Sequence, residues 1–240
     1  CHDIMCKVGE IVVSGGVRRS AMISLSNLSD DRMRHAKSGN WWETAGHRAL
    51  ANNSVSYTEK PDMETFLREW TALVESKSGE RGIFNRQASK KQAAKNDRRD
   101  TEWEFGTNPC SEIILRPYQF CNLSEVVVRA TDDLKSLSNK VKLATIIGTI
   151  QSSLTKFPYL RKVWQNNTEE ERLLGVSLTG IMDNPLLTAK NKGLGQTLDY
   201  LRHVAVDTNK EWAVRLGVQQ STAITCVKPS GTVSQLVDSA

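Results

Sequence analysis

The chain is 240 residues long, 39% hydrophobic and 25% charged, which places it in the range of one large soluble domain. No run approaches the roughly 20 apolar residues of a membrane span, and a net charge of +5 favours anionic nucleotides while falling short of what nucleic-acid binding asks for. Five cysteines at irregular spacings suit functional thiols in a reducing cytosol better than a secreted disulfide framework, so a cytoplasmic location is expected.

In chain order, Cys1 to Gly9 reads as the end of a helix closed by Gly9. Glu10 to Ser14 is a short β-branched run, interrupted by Gly15-Gly16 before Val17-Arg18-Arg19-Ser20, and Ala21 to Leu25 alternates as a strand. A glycine pair beside basic residues lets a backbone approach a ligand closely, although a tight turn with two exposed arginines explains the spacing as well. Asn40-Trp41-Trp42 and Asn52-Asn53-Ser54-Val55 place amides near tryptophans, where they cap turns or hold loops. Pro61 opens a helix whose expected buried stripe is Met63, Phe66, Leu67, Trp70, Leu73 and Val74, with Ser78-Gly79 as its end. Residues 86–102 are strongly polar and lack interleaved aromatics, so they read as a solvated loop or helix and not as a nucleic-acid patch.

The organising stretch follows, TNPCSEIILRPYQFCNLSEVVV over residues 107–128. If Asn108, Cys110 and Glu112 lie in an extended segment, the period of two puts all three side chains on one face. Ile113-Ile114-Leu115 continues as apolar strand, so the triplet reads as the polar end of a buried strand. An amide and a carboxylate facing inward beside a thiol are costly unless something binds there. A second thiol, Cys121, comes eleven positions on.

Beyond it, Val141, Ala144, Ile147, Ile150, Leu154 and Phe157 recur at helical spacing, with Pro158 as the stop. Thr168-Glu169-Glu170-Glu171 offers a capping box for a short helix. LLGVSLTGIMD is ambiguous because Gly175 and Gly180 interrupt it, and a long amphipathic helix follows with Leu194, Leu198, Leu201, Ala205, Thr208 and Trp212 on one stripe and Gly217 as its stop. Thr222 to Val227 is strand-like and leads into Lys228-Pro229-Ser230-Gly231-Thr232-Val233-Ser234. A strand entering such a turn before a helix exposes backbone N–H groups and hydroxyls to an anion. The segment lacks Walker-loop spacing, and by itself a plain turn is the more ordinary reading. Strands separated by helices with no tandem repeat make the chain α/β and compatible with a barrel.

NPCSE followed by FCNLSEV resembles the catalytic finger loop of ribonucleotide reductases, and its eleven-residue spacing is most similar to the adenosylcobalamin-dependent class II members. GGVRRSAMISL, ALANNSVSY, ERGIFNR, RLLGVSLTGIMD and KPSGTVSQLVDSA resemble further segments of the family in the family's order. The resemblance implies a ten-stranded α/β barrel with an inserted finger loop, of which residues 1–240 are a single-domain, incomplete central part. No signal peptide opens the chain. Its ends, CHDIMC and SQLVDSA, read as cuts in a longer polypeptide, which a splice junction at Cys1 or an incomplete reading frame explains equally well.

By resemblance Cys110 is the thiyl radical site, Glu112 the base for the 3′-hydroxyl, Asn108 the amide donor and Cys121 one of the redox thiol pair. Its partner is expected upstream of this chain, so the isolated piece is expected not to turn over. Substrate contacts are implied for Asn108, Pro109, Ser111, Pro229, Ser230, Gly231, Thr232 and Val233, and more weakly for Ser14 and Gly15. The implied cofactor is adenosylcobalamin, with no residue assigned to hold it. The implied partners are a ribonucleotide substrate and a thioredoxin-type or glutaredoxin-type reductant, with room for deoxynucleotide or ATP effectors and a homodimer, and without nucleic acid or membrane. Cys226 reads as a small buried hydrophobe, and Cys1, Cys6 and His2 make poor zinc spacing. Three rivals stand beside this reading. They are the large subunit of a class that receives its radical from a metal-containing partner, a glycyl-radical relative, and a nucleotide-binding module with a structural Cys110–Cys121 bridge.

Overall fold

The structure, a computed structural model, describes residues 1–14, 20–95, 97 and 99–239. They fall into two compact units, Cys1–Pro117 and Tyr118–Ala240.

The first unit begins with α1 (His2–Ser14), then β1 (Met22–Ser26), the short helices α2 (Asp31–Arg34) and α3 (Trp41–Thr44), and a 3-10 turn over Gly46–Leu50. It continues with β2 (Ala51–Tyr57), α4 (Met63–Ser76), β3 (Gly82–Asn85), α5 (Arg86–Ala94), β4 (Gly106–Thr107) and β5 (Ile114–Leu115). The first three strands make one parallel sheet in the order β1-β2-β3, with Met22 opposite Ala51 and Ser54 opposite Gly82. β2 is central and buried along its length except at Asn52, as a strand covered on both sides should be. β4 and β5 pair antiparallel as a hairpin.

Several sequence expectations are corrected here. Gly9 does not close a helix, and Glu10 to Ser14 is not strand, since α1 runs through both to Ser14. A Cβ on Gly9 would come within 3.3 Å of Ser20 Oγ and 3.4 Å of Leu50 Cδ1, so this glycine serves close packing and not termination. α4 starts after Pro61, at an N-cap where Asp62 Oδ1 accepts from Thr65 N at 2.9 Å. Its expected stripe is not its buried face. Met63 is 71% exposed, Leu67 51%, Trp70 49% and Val74 60%, while Glu69 and Ala72 are buried and Phe66 and Leu73 half-buried. The reason is electrostatic: Glu69 Oε2 accepts from Arg34 Nε at 2.9 Å, and Glu69 Oε1 from Arg81 Nε at 2.6 Å, with all three residues buried. Burial opposes ionisation of Glu69, but hydrogen bonds from Arg81 and Arg34 outweigh it and hold the carboxyl below its ordinary value. That ion cluster, not apolar content, decides which face of α4 turns inward.

The second unit contains β6 (Asn122–Val127), α6 (Leu134–Ser152), α7 (Lys162–Glu171), β7 (Leu174–Thr179), a 3-10 turn over Ile181–Asp183, α8 (Leu194–Leu216) and α9 (Gly231–Leu236). β6 and β7 run parallel in register from Asn122 opposite Leu174 to Val127 opposite Thr179, and Thr225 bridges Val176 on the far side of β7. One face of this pair carries the apolar core, in which Val126, Val128, Leu174 and Val176 meet Leu137, Val141 and Ala144 of α6 and Leu201 and Ala205 of α8. α6 is fixed at its start by a capping box between Asp133 and Ser136 and ends at Ser152, short of Phe157. Of the expected stripe only Val141 and Ala144 enter the core; Ile147 and Ile150, and Leu154 just beyond the helix end, are exposed. Thr168 to Glu171 does not open a helix; it closes α7, which ends at Arg172 in the left-handed conformation with φ 43°. The ambiguous LLGVSLT segment is β7, and Gly180 ends it at φ +80°, where a Cβ would collide with the Val128 carbonyl oxygen. Gly217 caps α8 with φ 65°, as expected. Parallel strands alternating with helices make the chain α/β. No helix among the described residues is long and apolar enough to cross a membrane.

Candidate functional site

Residues 108–113 form the connection between β4 and β5, so Asn108, Cys110 and Glu112 are not side chains of one strand face. They lie on a turn. Asn-Pro is a turn-initiating pair, with proline's fixed φ suited to the second position, and Ser111 N donates to Asn108 O at 2.9 Å to close it. Ser111 takes φ 63°, a left-handed value that redirects the chain after the thiol. The expectation of an extended triplet fails because the Asn-Pro turn overrides the alternating pattern.

The turn is braced from inside. Asn108 Oδ1 accepts from Ile113 N at 3.0 Å and from Thr107 Oγ1 at 3.4 Å, while Thr107 Oγ1 donates to Ile113 O at 2.9 Å. The carbonyl oxygen of Asn108 is thus committed to the hairpin, and the group it can offer a ligand is its NH2. Asn52 Nδ2, on β2, donates to Pro109 O at 2.6 Å and ties the tip to the parallel sheet. Nothing in the sequence signals this tie beyond the amide-rich run around it. Cys110 and Ser111 are exposed at the tip, Pro109 and Glu112 are half-buried, and Ile113 is buried as the anchor. An exposed thiol, an amide donor and a half-buried carboxylate thus sit within one braced turn. That arrangement can present sulfur to a ligand with a hydrogen-bond donor and a base close in the chain.

The other candidates of the first unit are weaker. Ser14 is the last residue of α1, and its Oγ donates to Glu10 O at 3.0 Å. Gly15 lies outside the described residues. Cys6 is buried beside His2, 3.9 Å from the ring nitrogens, and burial pushes its thiol pKa up. Among the described residues no group of three or more His, Cys, Asp or Glu is arranged to hold a metal ion.

In the second unit, Cys121 is half-buried immediately before β6. Pro229, Ser230, Gly231, Thr232 and Val233 form the entry to α9, and Ser230 Oγ donates to Thr179 Oγ1 at the end of β7 at 2.7 Å. Cys226 N donates to Val176 O at 3.0 Å, and its side chain is half-buried, less enclosed than the core residue expected. Cys110 is an exposed free thiol.

No family model matches the chain. It is 31% identical over 265 residues to the adenosylcobalamin-dependent ribonucleoside-triphosphate reductase of Lacticaseibacillus paracasei, covering 98% of this chain and 34% of that protein. The corresponding proteins of Levilactobacillus brevis and Lactobacillus gasseri are 28% and 30% identical, each over 98% of this chain and 34% of theirs. The chain therefore spans about a third of the length of these relatives. Among solved structures, the crystal structure of a B12-dependent (class II) ribonucleotide reductase superposes with a TM-score of 0.72 at 24% identity, over 100% of this chain and 36% of that one. The alpha subunit of the Actinobacillus ureae class Id ribonucleotide reductase gives a TM-score of 0.60 at 14% identity, over 91% of this chain and 48% of that one. These two likenesses establish the fold as that of ribonucleotide reductase large subunits.

Proposed function

We infer that this chain, homologous over its whole length to the adenosylcobalamin-dependent ribonucleotide reductases, is a central part of the catalytic subunit of such an enzyme, reducing ribonucleoside triphosphates to 2′-deoxyribonucleotides. Both units are then parts of one ten-stranded α/β barrel, and the β4–β5 hairpin is its finger loop. The observation that carries this reading is the braced turn that presents the Cys110 thiol between Asn108 and Glu112, at the positions where the NPCSE motif resembles the family's.

Loss of a 2′-hydroxyl from an unactivated carbon is difficult, and a radical at C3′ turns it into an acid–base step. The Cys110 thiyl takes the hydrogen from C3′, so a C–H bond breaks and an S–H bond forms. Glu112 accepts the 3′-hydroxyl proton as this happens, and the Asn108 NH2 holds the reacting hydroxyls. The 2′-oxygen leaves as water. Cys121 and a second thiol supply two electrons and two protons and finish as a disulfide, and Cys110 returns its hydrogen to C3′. Residues 229–233 receive the substrate's phosphates. The exposure of Cys110 as a free thiol fits a radical generator that meets it from outside the hairpin. Adenosylcobalamin, when bound, would supply the radical chemistry that oxidises the Cys110 thiol; no residue of this chain is assigned to hold it. A thioredoxin-type or glutaredoxin-type reductant, a cytoplasmic setting, deoxynucleotide or ATP effectors and a homodimer all accord with the same reading.

The test is deoxynucleotide formation by the full-length reading frame with adenosylcobalamin and dithiothreitol, without a second subunit, beside Cys110→Ser. Product that requires both the cofactor and Cys110 is expected. Product that forms only with a metal-containing partner subunit would keep the family and overturn the cofactor.

A further inference from the structure

The face of β6 and β7 opposite the apolar core holds two buried polar atoms, Glu125 Oε1 and Ser177 Oγ, that have no hydrogen-bond partner among the described residues. Side chains alternate along a strand, so Val126, Leu174 and Val176 on the core side leave Cys121, Leu123, Glu125 and Val127 on the other, next to Gly175, Ser177 and Thr179. Glu125 and Ser177 are direct partners in the register. Ser177 is 2% exposed. Its Oγ and Glu125 Oε1 are both buried without a hydrogen-bond partner, and they do not bond each other. A buried hydroxyl and a buried carboxylate oxygen left unpaired side by side each cost about 1–3 kcal/mol. The large majority of buried polar side-chain atoms have a hydrogen-bond partner; these two have none among the described residues.

Its place on the face is informative. Same-face neighbours along a strand are roughly 7 Å apart. One step from the pair in the direction of the strands lies the Val127–Thr179 row, where Thr179 holds Ser230 of the 229–233 segment at 2.7 Å. Two steps in the other direction lies Cys121, past the row in which Gly175 contributes no side chain. The unpaired groups therefore stand between the proposed phosphate segment and the proposed redox thiol. A carboxylate one row from phosphates repels them, so what it accepts is a neutral donor on the nucleoside side.

We propose that Glu125 and Ser177 form a further substrate contact in which the Glu125 carboxylate accepts a hydrogen bond from a hydroxyl of the nucleoside, with Ser177 Oγ as its companion. This rests on the reading of residues 229–233 and Cys121 given above. Both are substrate-binding residues and take no proton in the reaction.

The test uses the full-length enzyme and measures dissociation constants for CTP and for inorganic tripolyphosphate, with Glu125→Gln, Ser177→Ala and wild type compared. Losing one hydrogen bond to a charged acceptor should weaken CTP about tenfold, while tripolyphosphate, which has no nucleoside, binds as in wild type. Ser177→Ala should leave the unfolding temperature of the nucleotide-free protein unchanged or raised, because an unsatisfied buried hydroxyl is removed. CTP affinity unchanged in both variants, equal weakening of CTP and tripolyphosphate, or a fall of several degrees in the nucleotide-free unfolding temperature of Ser177→Ala would each overturn the proposal. If the variants bind CTP as wild type does while wild type shows Cys110-dependent turnover, this contact alone is wrong. If wild type binds no CTP, the reading of the 229–233 segment falls with it.

Discussion

The two units hold themselves together by different means. The first buries charge: Arg34, Glu69 and Arg81 form a cluster under α4, and Lys37 Nζ donates to Glu80 Oε1 at 2.8 Å beside β2. The second buries hydrocarbon, with Leu137, Leu174 and Ala205 fully enclosed between the β6–β7 pair and helices α6 and α8. Buried ion pairs contribute little net stability when complete, yet they are strongly position-specific, because removing one partner strands the others. Apolar burial is forgiving of direction and scales with area. Exact pairings are thus the more prominent device in the first unit and apolar pattern in the second, although the first also encloses Val55 and Phe105 and the second also buries Glu171.

The largest effect expected from this difference is at Glu69. Glu69→Ala leaves the buried Arg81 guanidinium without a carboxylate and Arg34 with the exposed Asp31 as its remaining one, and should destabilise the first unit by about 3 kcal/mol in chemical denaturation. The effect has a pH signature. The folded-state pKa of Glu69 is held below its ordinary value, so its contribution is present above the unfolded-state pKa and is lost as pH falls through the folded value. The stability difference between wild type and Glu69→Gln should therefore be large at neutral pH and shrink on acidification. A difference independent of pH would mean that the cluster does not hold α4. Next in size is the counterpart in the second unit, Leu174→Ala, which removes a fully buried side chain from the core and should cost about 3 kcal/mol, with no comparable pH dependence.

The same contrast explains what could be read in the sequence. In the second unit, Val141 and Ala144 of α6, Leu201 and Ala205 of α8 and the Gly217 stop were legible, because an apolar core rewards apolar periodicity, whereas Ile147, Ile150 and Leu154 of the expected first stripe and Leu198 of the second are exposed. In the first unit the α4 stripe was misread, since Glu69 and its two arginines are separated by 35 and 12 positions and no local pattern announces their pairing. Gly9 was misread for a related reason: its neighbours Ser20 and Leu50 are remote in sequence. Within the candidate site, the extended geometry expected of Asn108, Cys110 and Glu112 was misread. Asn-Pro turn chemistry overrode the alternation, and the tie from Asn52 depends on a strand 57 positions away. Glu125 and Ser177 carried no signal, because only the strand register makes them neighbours.

A third prediction tests whether the hairpin belongs to the well-specified part of the first unit. Asn52→Ala removes the donor to Pro109 O and should cost about 1 kcal/mol of local stability. It should appear as faster amide exchange at Ser111 and Ile113, whose N–H groups close the turn, with little change in global unfolding. Unchanged exchange would show that the Asn108 and Thr107 contacts suffice by themselves.

The smallest effect is expected where apolar pattern and structure disagree most. Leu67 and Val74 stand 51% and 60% exposed on α4, a face that hydrophobicity alone would turn inward. If the Arg34–Glu69–Arg81 cluster sets the helix rotation, Leu67→Gln changes a side chain that is already 51% exposed and has no place in a buried core. Its cost should stay within about 0.5 kcal/mol, as for ordinary surface substitutions. The comparison with Glu69→Ala is then decisive, because the two residues are two positions apart and so project from different faces of one helix. A large loss at Leu67 with a small one at Glu69 would mean that α4 is rotated the other way, with the charges outward and the apolar stripe in the core. A large loss at Glu69 with a negligible one at Leu67 fixes the rotation as described and assigns it to charge.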